Sequence, residues 1–241
     1  MSVVAAIEIP GYAHGYPEVA FGGYVAGLLA ASSADPTELR VDFRAPVPVE
    51  TPLTITATES GQRALVDADG RLLVETAKAT VTLVAPAAPS WAQAREASAA
   101  ALERPRTDCY GCGAECAPGQ GMRLFTSKLP GSDLIAGAWT PDPLLAGPDG
   151  VLPTEQVWAL LDCPGGWAAM TMHGMRAGAV TAALTGTRLR PISVGADYVS
   201  YAWAAHRDGR KYTVGVAVAT PEGELCALAE ALWIEPRAQK M

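Results

Sequence analysis

The chain has 241 residues, 49% of them apolar and 18% charged, with a formal net charge of −7. That composition excludes a disordered polymer, and the acidic balance excludes a protein that grips nucleic-acid phosphates through a basic surface. No apolar run reaches the roughly 18 residues that cross a bilayer, and no basic stretch followed by an apolar one opens the chain. A cytoplasmic globular protein is expected, without membrane or nucleic-acid partners. The length allows one large domain or two small ones.

The first element is a helix over "FGGYVAGLLAASSAD", opened by Gly22-Gly23 and stopped by Asp35-Pro36. Strands follow in "RAPVPVETPLTITATES" and "ALVDADGRLLVETAKATVTL", entered at Pro46 and ending near Leu83. Leu53, Ile55 and Ala57 alternate with polar neighbours, the period of a half-buried strand. Asp69-Gly70 supplies a hairpin turn. A Pro/Ala-rich, then helix-favouring connector runs from Ala85 to Asp108, which places a domain boundary near residue 100.

Cysteines then cluster at Cys109, Cys112 and Cys116. Five cysteines in all, an odd number, do not form a disulfide framework. A structural zinc needs a fourth ligand, for which Asp108, Cys163 and His173 are the candidates, and no second paired motif supplies one. A tight Gly-rich turn with buried thiols and no metal is therefore expected.

A second helix covers "PTEQVWALLDCPGGWAAMTMHG", started by Pro153 and Thr154 with Glu155 in its first turn, and ended at His173-Gly174. The strand pattern then returns in "LRPISVGADYVSYAWAAHRDGRKYTVGVAVATPEGELCALAEALWI". It enters at Pro191, alternates at Tyr198, Ser200 and Ala202, turns at Glu222-Gly223, and ends near Ile234. One helix-then-strands unit is thus written twice, in residues 1–100 and 101–241. Both helices are apolar on nearly every side, as helices wrapped by sheet would be.

Three segments carry a family resemblance. "CYGCGAECAPGQGMRLF" resembles the C-x-x-C-G … G-L/M-x-L-x-F approach to the first strand of phenylacetate-pathway-type thioesterases. "FGGYVAGLLA" resembles their H-G-G helix start, with Phe21 where His is common, and "LLDCPGGWAA" resembles their A-D-x-x-G-G-x-A acidic segment. The resemblance is to hotdog-fold acyl-CoA thioesterases of the fused, double type. It implies an α+β fold in which two antiparallel sheets, each wrapping a central helix, join into one extended sheet. It also implies hydrolysis of an acyl-CoA or acyl-carrier thioester without a cofactor, and allows a homodimer of double hotdogs.

Aligning the two helices sets Gly22-Gly23 against Thr154-Glu155, and Ala30 against Asp162. One helix keeps the glycines and the other keeps the acid. The resemblance therefore implies one composite site, of Gly22, Gly23 and Asp162, and a degenerate second interface. Gly23 would offer a first-turn amide to an oxyanion, unless it serves packing alone. Asp162, among apolar neighbours, would act as general base or nucleophile, unless it only caps the helix restarted at Pro164. A cleft sized for the thioester is expected between them.

His14, Thr181 and Thr185 are secondary candidates, each with a plain loop or strand explanation, as has Thr187. Tyr24 and Trp158 are expected beside the substrate, and Arg207, Arg210 and Lys211 either meet coenzyme A phosphates or form an ordinary charged turn. Two other functions remain open, a non-catalytic acyl-thioester binding protein and a hotdog-type enoyl-CoA hydratase or dehydratase. The latter chemistry uses a closely spaced Asp and His pair, and His173 stands eleven residues after Asp162.

Overall fold

The structure is a computed structural model that describes residues 2–35 and 39–237. The N-terminal half contributes β1 (Ser2–Ile7), a small ribbon of β2 (His14–Tyr16) and β3 (Val19–Ala20), and helix α1 (Gly22–Ser32). It continues with β4 (Leu39–Phe43), β5 (Leu53–Ala57), β6 (Arg63–Val66) and β7 (Leu72–Lys78). Helix α2 (Trp91–Ala101) connects to a C-terminal half of β8 (Ser127–Lys128), β9 (Ile135–Trp139), α3 (Thr154–Leu160) and α4 (Cys163–His173). Strands β10 (Val180–Arg188), β11 (Tyr198–Asp208), β12 (Lys211–Ala219) and β13 (Leu225–Ile234) complete it.

Eleven strands form one antiparallel sheet in the order β1-β5-β6-β7-β4-β10-β13-β12-β11-β9-β8. The halves join where β4 pairs with β10, Val41 opposite Leu184 and Arg40 opposite Thr185. This pairing converts what would be an exposed edge of each half into sheet interior. The turns read from the sequence are present: Gly70 and Gly223 lie at φ 78° and 90°, a region that glycine enters without the steric cost of a side chain. Helix α1 buries Gly23, Val25, Ala26, Gly27, Leu29 and Ala30, and joins α3 and α4 in the main core. The stop assigned to Asp35-Pro36 falls partly outside the described residues, since Pro36 is not among them.

Two sequence expectations change, and the connector helix packs away from the strands that precede it. The second central helix is two helices, because Pro164 has no N–H to continue the hydrogen-bond ladder and the chain breaks at Leu161–Asp162. The first strand unit stops at Lys78 rather than Leu83. Helix α2 falls in the N-terminal half if the boundary is set at residue 100, yet it packs on β8, β9 and β11. A capping box of Ser90 and Gln93 starts it, and Ala94, Ala97 and Ala101 face a second, smaller core with Val199, Tyr201 and Ala217. Small side chains at helical spacing let the connector lie flat on the outer face of the sheet.

A buried carboxylate closes the end of the last strand. Glu235 accepts from the Tyr212 hydroxyl at 2.7 Å, the Arg176 amide at 2.8 Å and Arg176 Nε at 3.0 Å. The Tyr212 hydroxyl first, then Arg176, hold its carboxyl down at about 2. A carboxyl held low in the fold stabilises above its unfolded value and loses that contribution as pH falls toward the folded one. Glu235→Gln is expected to lower Tm at neutral pH. The gap from wild type should narrow between about pH 4.3, the ordinary glutamate value, and about pH 2. Thermal melts across that range check it, and a gap unchanged by pH would contradict it.

Candidate functional site

Helices α1 and α3 run antiparallel in direct contact. A Cβ built on Gly23 would stand 2.9 Å from Ala159 Cα and 2.9 Å from the Trp158 carbonyl oxygen, and one on Gly27 would stand 2.4 Å from Glu155 Cα. Glycines one turn apart on α1 thus let two backbones meet at the seam between the halves. Packing is therefore a definite task of Gly23.

Asp162 sits at that seam, 1% exposed, in the break between α3 and α4. It occupies the N-cap position of α4, but its side chain makes no cap bond there. Its Oδ2 instead accepts the Gly23 amide at 2.6 Å, and its Oδ1 accepts the Thr181 hydroxyl at 2.6 Å. Helix α1 begins at Phe21 without a side-chain cap of its own, so the acid of one half caps the helix of the other. The positive end of α1 faces the carboxylate. Burial pushes the Asp162 carboxyl up to about 6, against the Thr181 hydroxyl and the Gly23 amide, which favour the charged form.

This geometry corrects two expectations. The cap reading of Asp162 for its own helix fails, and the cleft expected between Asp162 and Gly23 is closed by a hydrogen bond. Gly22 adjoins the pair, since a Cβ there would lie 3.0 Å from Asp162 Oδ2 and 3.3 Å from Thr181 Cβ. The pseudo-symmetric counterpart differs. Ala30 is buried and apolar there, while the start of α3 opens on a hollow of about 480 Å³ walled by Asp149, Thr154, Glu155 and Arg188.

The remaining candidates separate. His14 hydrogen-bonds the Gly11 carbonyl through Nδ1 at 2.8 Å and faces Asp108 through Nε2 at 3.2 Å, which makes it a loop brace. Thr185 is buried on β10 opposite Arg40 and Glu230, four residues beyond the Asp162 partner Thr181. Tyr24 is half-buried, its ring 5.3 Å from that of Tyr110. Trp158 is 2% exposed and its ring packs toward Gly186, so it is core and not a substrate-facing wall. Arg207 donates to the His173 carbonyl at the C-terminal end of α4, and Arg210 donates to the Glu235 carbonyl. With Asp162 at the other end of the 11-residue helix, that basic turn lies roughly 16 Å away along its axis. Lys211 is exposed on the same turn.

Sequence reading grouped Cys116 with Cys109 and Cys112, and the structure replaces it with Cys163. The sulfurs of Cys109, Cys112 and Cys163 lie within 4.8 Å of one another. Cys116 instead turns its sulfur to the carbonyls of Asp108 and Cys109. Mutual thiol interactions draw the Cys112 thiol below its ordinary range, and push Cys109 up through Cys112 and Cys163 up through Cys109 and then Cys112. Thr181 was legible as a strand hydroxyl, and Cys163 as one of three candidates for a further zinc ligand.

No family model matches the chain, and no curated protein matches it by sequence. Solved structures do. The tesB protein of Mycobacterium avium subsp. paratuberculosis superposes with a TM-score of 0.62 at 15% identity, over 96% of this chain and 92% of that one. A protein with the hot dog fold from Alicyclobacillus acidocaldarius gives 0.57 at 17% identity, over 93% and 90%. The fold is a double hotdog. An acyl-CoA thioesterase II, TesB2, from Mycobacterium marinum gives 0.55 at 18% identity, over 92% of each chain. At such identities the likeness is one of fold, and chemistry must be argued from the site. No helix among the described residues is long and apolar enough to cross a membrane.

Proposed function

We propose that the protein hydrolyses an acyl thioester of coenzyme A or of an acyl carrier, at one composite site between its halves. One observation carries this reading: a fully buried carboxylate, Asp162, held between a helix-start amide of the opposite half and a strand hydroxyl. Ionisable groups desolvated in this way are costly and concentrate where chemistry is done. The Mycobacterium marinum neighbour, an acyl-CoA thioesterase, is named for the same substrate class.

In this reading the thioester carbonyl enters at the first turn of α1 and takes the Gly23 amide from Asp162. The released carboxylate accepts a proton from water as the hydroxide adds to the carbonyl carbon. The oxyanion is held by first-turn amides and the helix dipole. On collapse the C–S bond breaks, and Asp162 returns its proton to the departing thiolate. Thr181 keeps the carboxylate aimed throughout. Release of free thiol across a panel of acyl-CoA esters, wild type beside Asp162→Asn, tests the proposal.

A second reading has its own observation. Both Asp162 oxygens are satisfied and the residue is shielded from solvent, as a purely structural cap would be. Acyl-CoA binding without thiol release in the wild type would favour it. Thr181→Val serves both readings, because a hydrogen bond to a charged group contributes about 1.5–3 kcal/mol. Urea denaturation is expected to show a loss of that order for Thr181→Val and little for Thr181→Ser, which keeps the hydroxyl. Equal stability of the two variants would mean that the Thr181 bond contributes nothing.

A further inference from the structure

Beside the carboxylate, three sulfurs converge from two distant segments. Cys109 and Cys112 are half-buried on a turn, and Cys163 is buried in the first turn of α4. The turn is held rigidly. The Tyr110 amide donates to the His14 carbonyl at 2.8 Å, the Gly113 amide to the Cys109 carbonyl at 2.7 Å, and the Leu124 amide to the Gly111 carbonyl at 3.0 Å. Gly111, between the two cysteines, leaves no room for a side chain: a Cβ there would lie 2.6 Å from Phe21 Cζ and 2.8 Å from Cys163 Cβ. The turn is thus pressed against both α1 and α4 with its thiols facing the third.

We infer that Cys109, Cys112 and Cys163 form a binding site for a thiophilic divalent cation, zinc by preference, with three thiolate ligands and a fourth position left to water or an external donor. The sulfurs lie within 4.8 Å of one another, and a tetrahedral zinc with bonds of about 2.3 Å needs them about 3.8 Å apart. Inward shifts of less than an ångström per sulfur close that gap. Thiolates select soft and borderline ions over magnesium or calcium. The partial exposure of Cys109 and Cys112 gives the ion a path in.

The surroundings fit a bound cation better than three neutral thiols. The Arg104 guanidinium lies 3.7 Å over the Trp167 ring and within electrostatic reach of Cys112 and Cys163. It bonds the Ala101 and Thr126 carbonyls and has no carboxylate partner among the described residues. A divalent ion with three thiolates carries one net negative charge, which Arg104 offsets. The absent fourth protein ligand, which argued against zinc when Cys116 was taken as the third, is the ordinary state of a site with an open position. Occupancy would tie the 109–112 turn to the first turn of α4, one residue after Asp162.

The inference is independent of any esterase activity, and its test reads metal directly. The full chain, reduced and stripped with chelator, is titrated with Co²⁺ and then with Zn²⁺. One cobalt per chain, a thiolate-to-cobalt charge-transfer band, tetrahedral ligand-field bands, their displacement by one equivalent of Zn²⁺ and a higher Tm with zinc are expected. Cys112→Ser and Cys163→Ser should weaken zinc binding by more than the about 10–100-fold typical of losing an outer contact. Cys116→Ser should bind as wild type. Because Cys163 is buried, circular dichroism verifies its variant, and the more exposed Cys112 gives the same test without a core change. A reduced wild type that shows no charge-transfer band overturns the inference, as does equal loss in Cys116→Ser.

Discussion

Asp162→Asn is expected to reduce thiol release from acyl-CoA by about 10² or more, the low end of what a positioned general base contributes, while the fold survives. Both halves of that expectation follow from the contacts. Asn keeps a carbonyl oxygen that can accept the Gly23 amide, so α1 retains its cap. Its NH₂ then faces Thr181, whose hydroxyl can rotate and accept instead of donate. What Asn cannot do is take a proton from water. Asp162→Ala differs, since it strands the Gly23 amide in the core, and an unsatisfied buried donor costs about 1–3 kcal/mol. A purely structural cap would show the Ala variant unstable and the Asn variant as active as wild type. That outcome, with thiol release measured over several acyl lengths, would end the base mechanism. Ala30→Asp should add no activity, because the facing turn of α3 begins with Thr154 and Glu155 instead of paired glycines.

What the sequence made legible was whatever depends on local periodicity. The repeated unit could be read because Leu53 and Ile55 face inward with Thr54 between them, and because glycines mark the turns. The complementarity of Gly22-Gly23 and Asp162 was also readable, since the two helices align residue by residue. Contacts between distant segments were not. Edge strand β1 and the short β8 owe their form to pairing with β5 and β9 rather than to a strong pattern of their own. Cys163 joins two cysteines some fifty residues earlier only because the tertiary fold lays their turn against the start of α4. Trp158 has an aromatic side chain beside a candidate acid, yet the structure turns its ring into the core toward Gly186. The spacing of Gly23 and Gly27 was the overlooked signal, because small residues four apart let helices approach closely.

That spacing also yields a large expected change in stability. Gly27→Ala would place a methyl 2.4 Å from Glu155 Cα and 2.7 Å from the Glu155 carbonyl oxygen. Both are backbone atoms, so no rotamer change on α3 can make room, and the helices must separate. Overpacking a core costs about 1–3 kcal/mol and occasionally more, and a clash with fixed backbone belongs at the upper end. Alanine returns about 1 kcal/mol over glycine as a helix former, which leaves a net loss of about 2 kcal/mol or more. Against a typical domain stability of about 5–15 kcal/mol, this should be plain as a lower urea midpoint. The same displacement draws Gly23 away from Asp162, so activity should fall with stability although Gly27 touches no reacting group. Gly70→Ala is the comparison, because a side chain there meets open space and pays only for its positive φ. If Gly27→Ala proved as stable as wild type, α1 and α3 could not be packed backbone to backbone, and the seam that presents Asp162 to the opposite half would lose its structural basis.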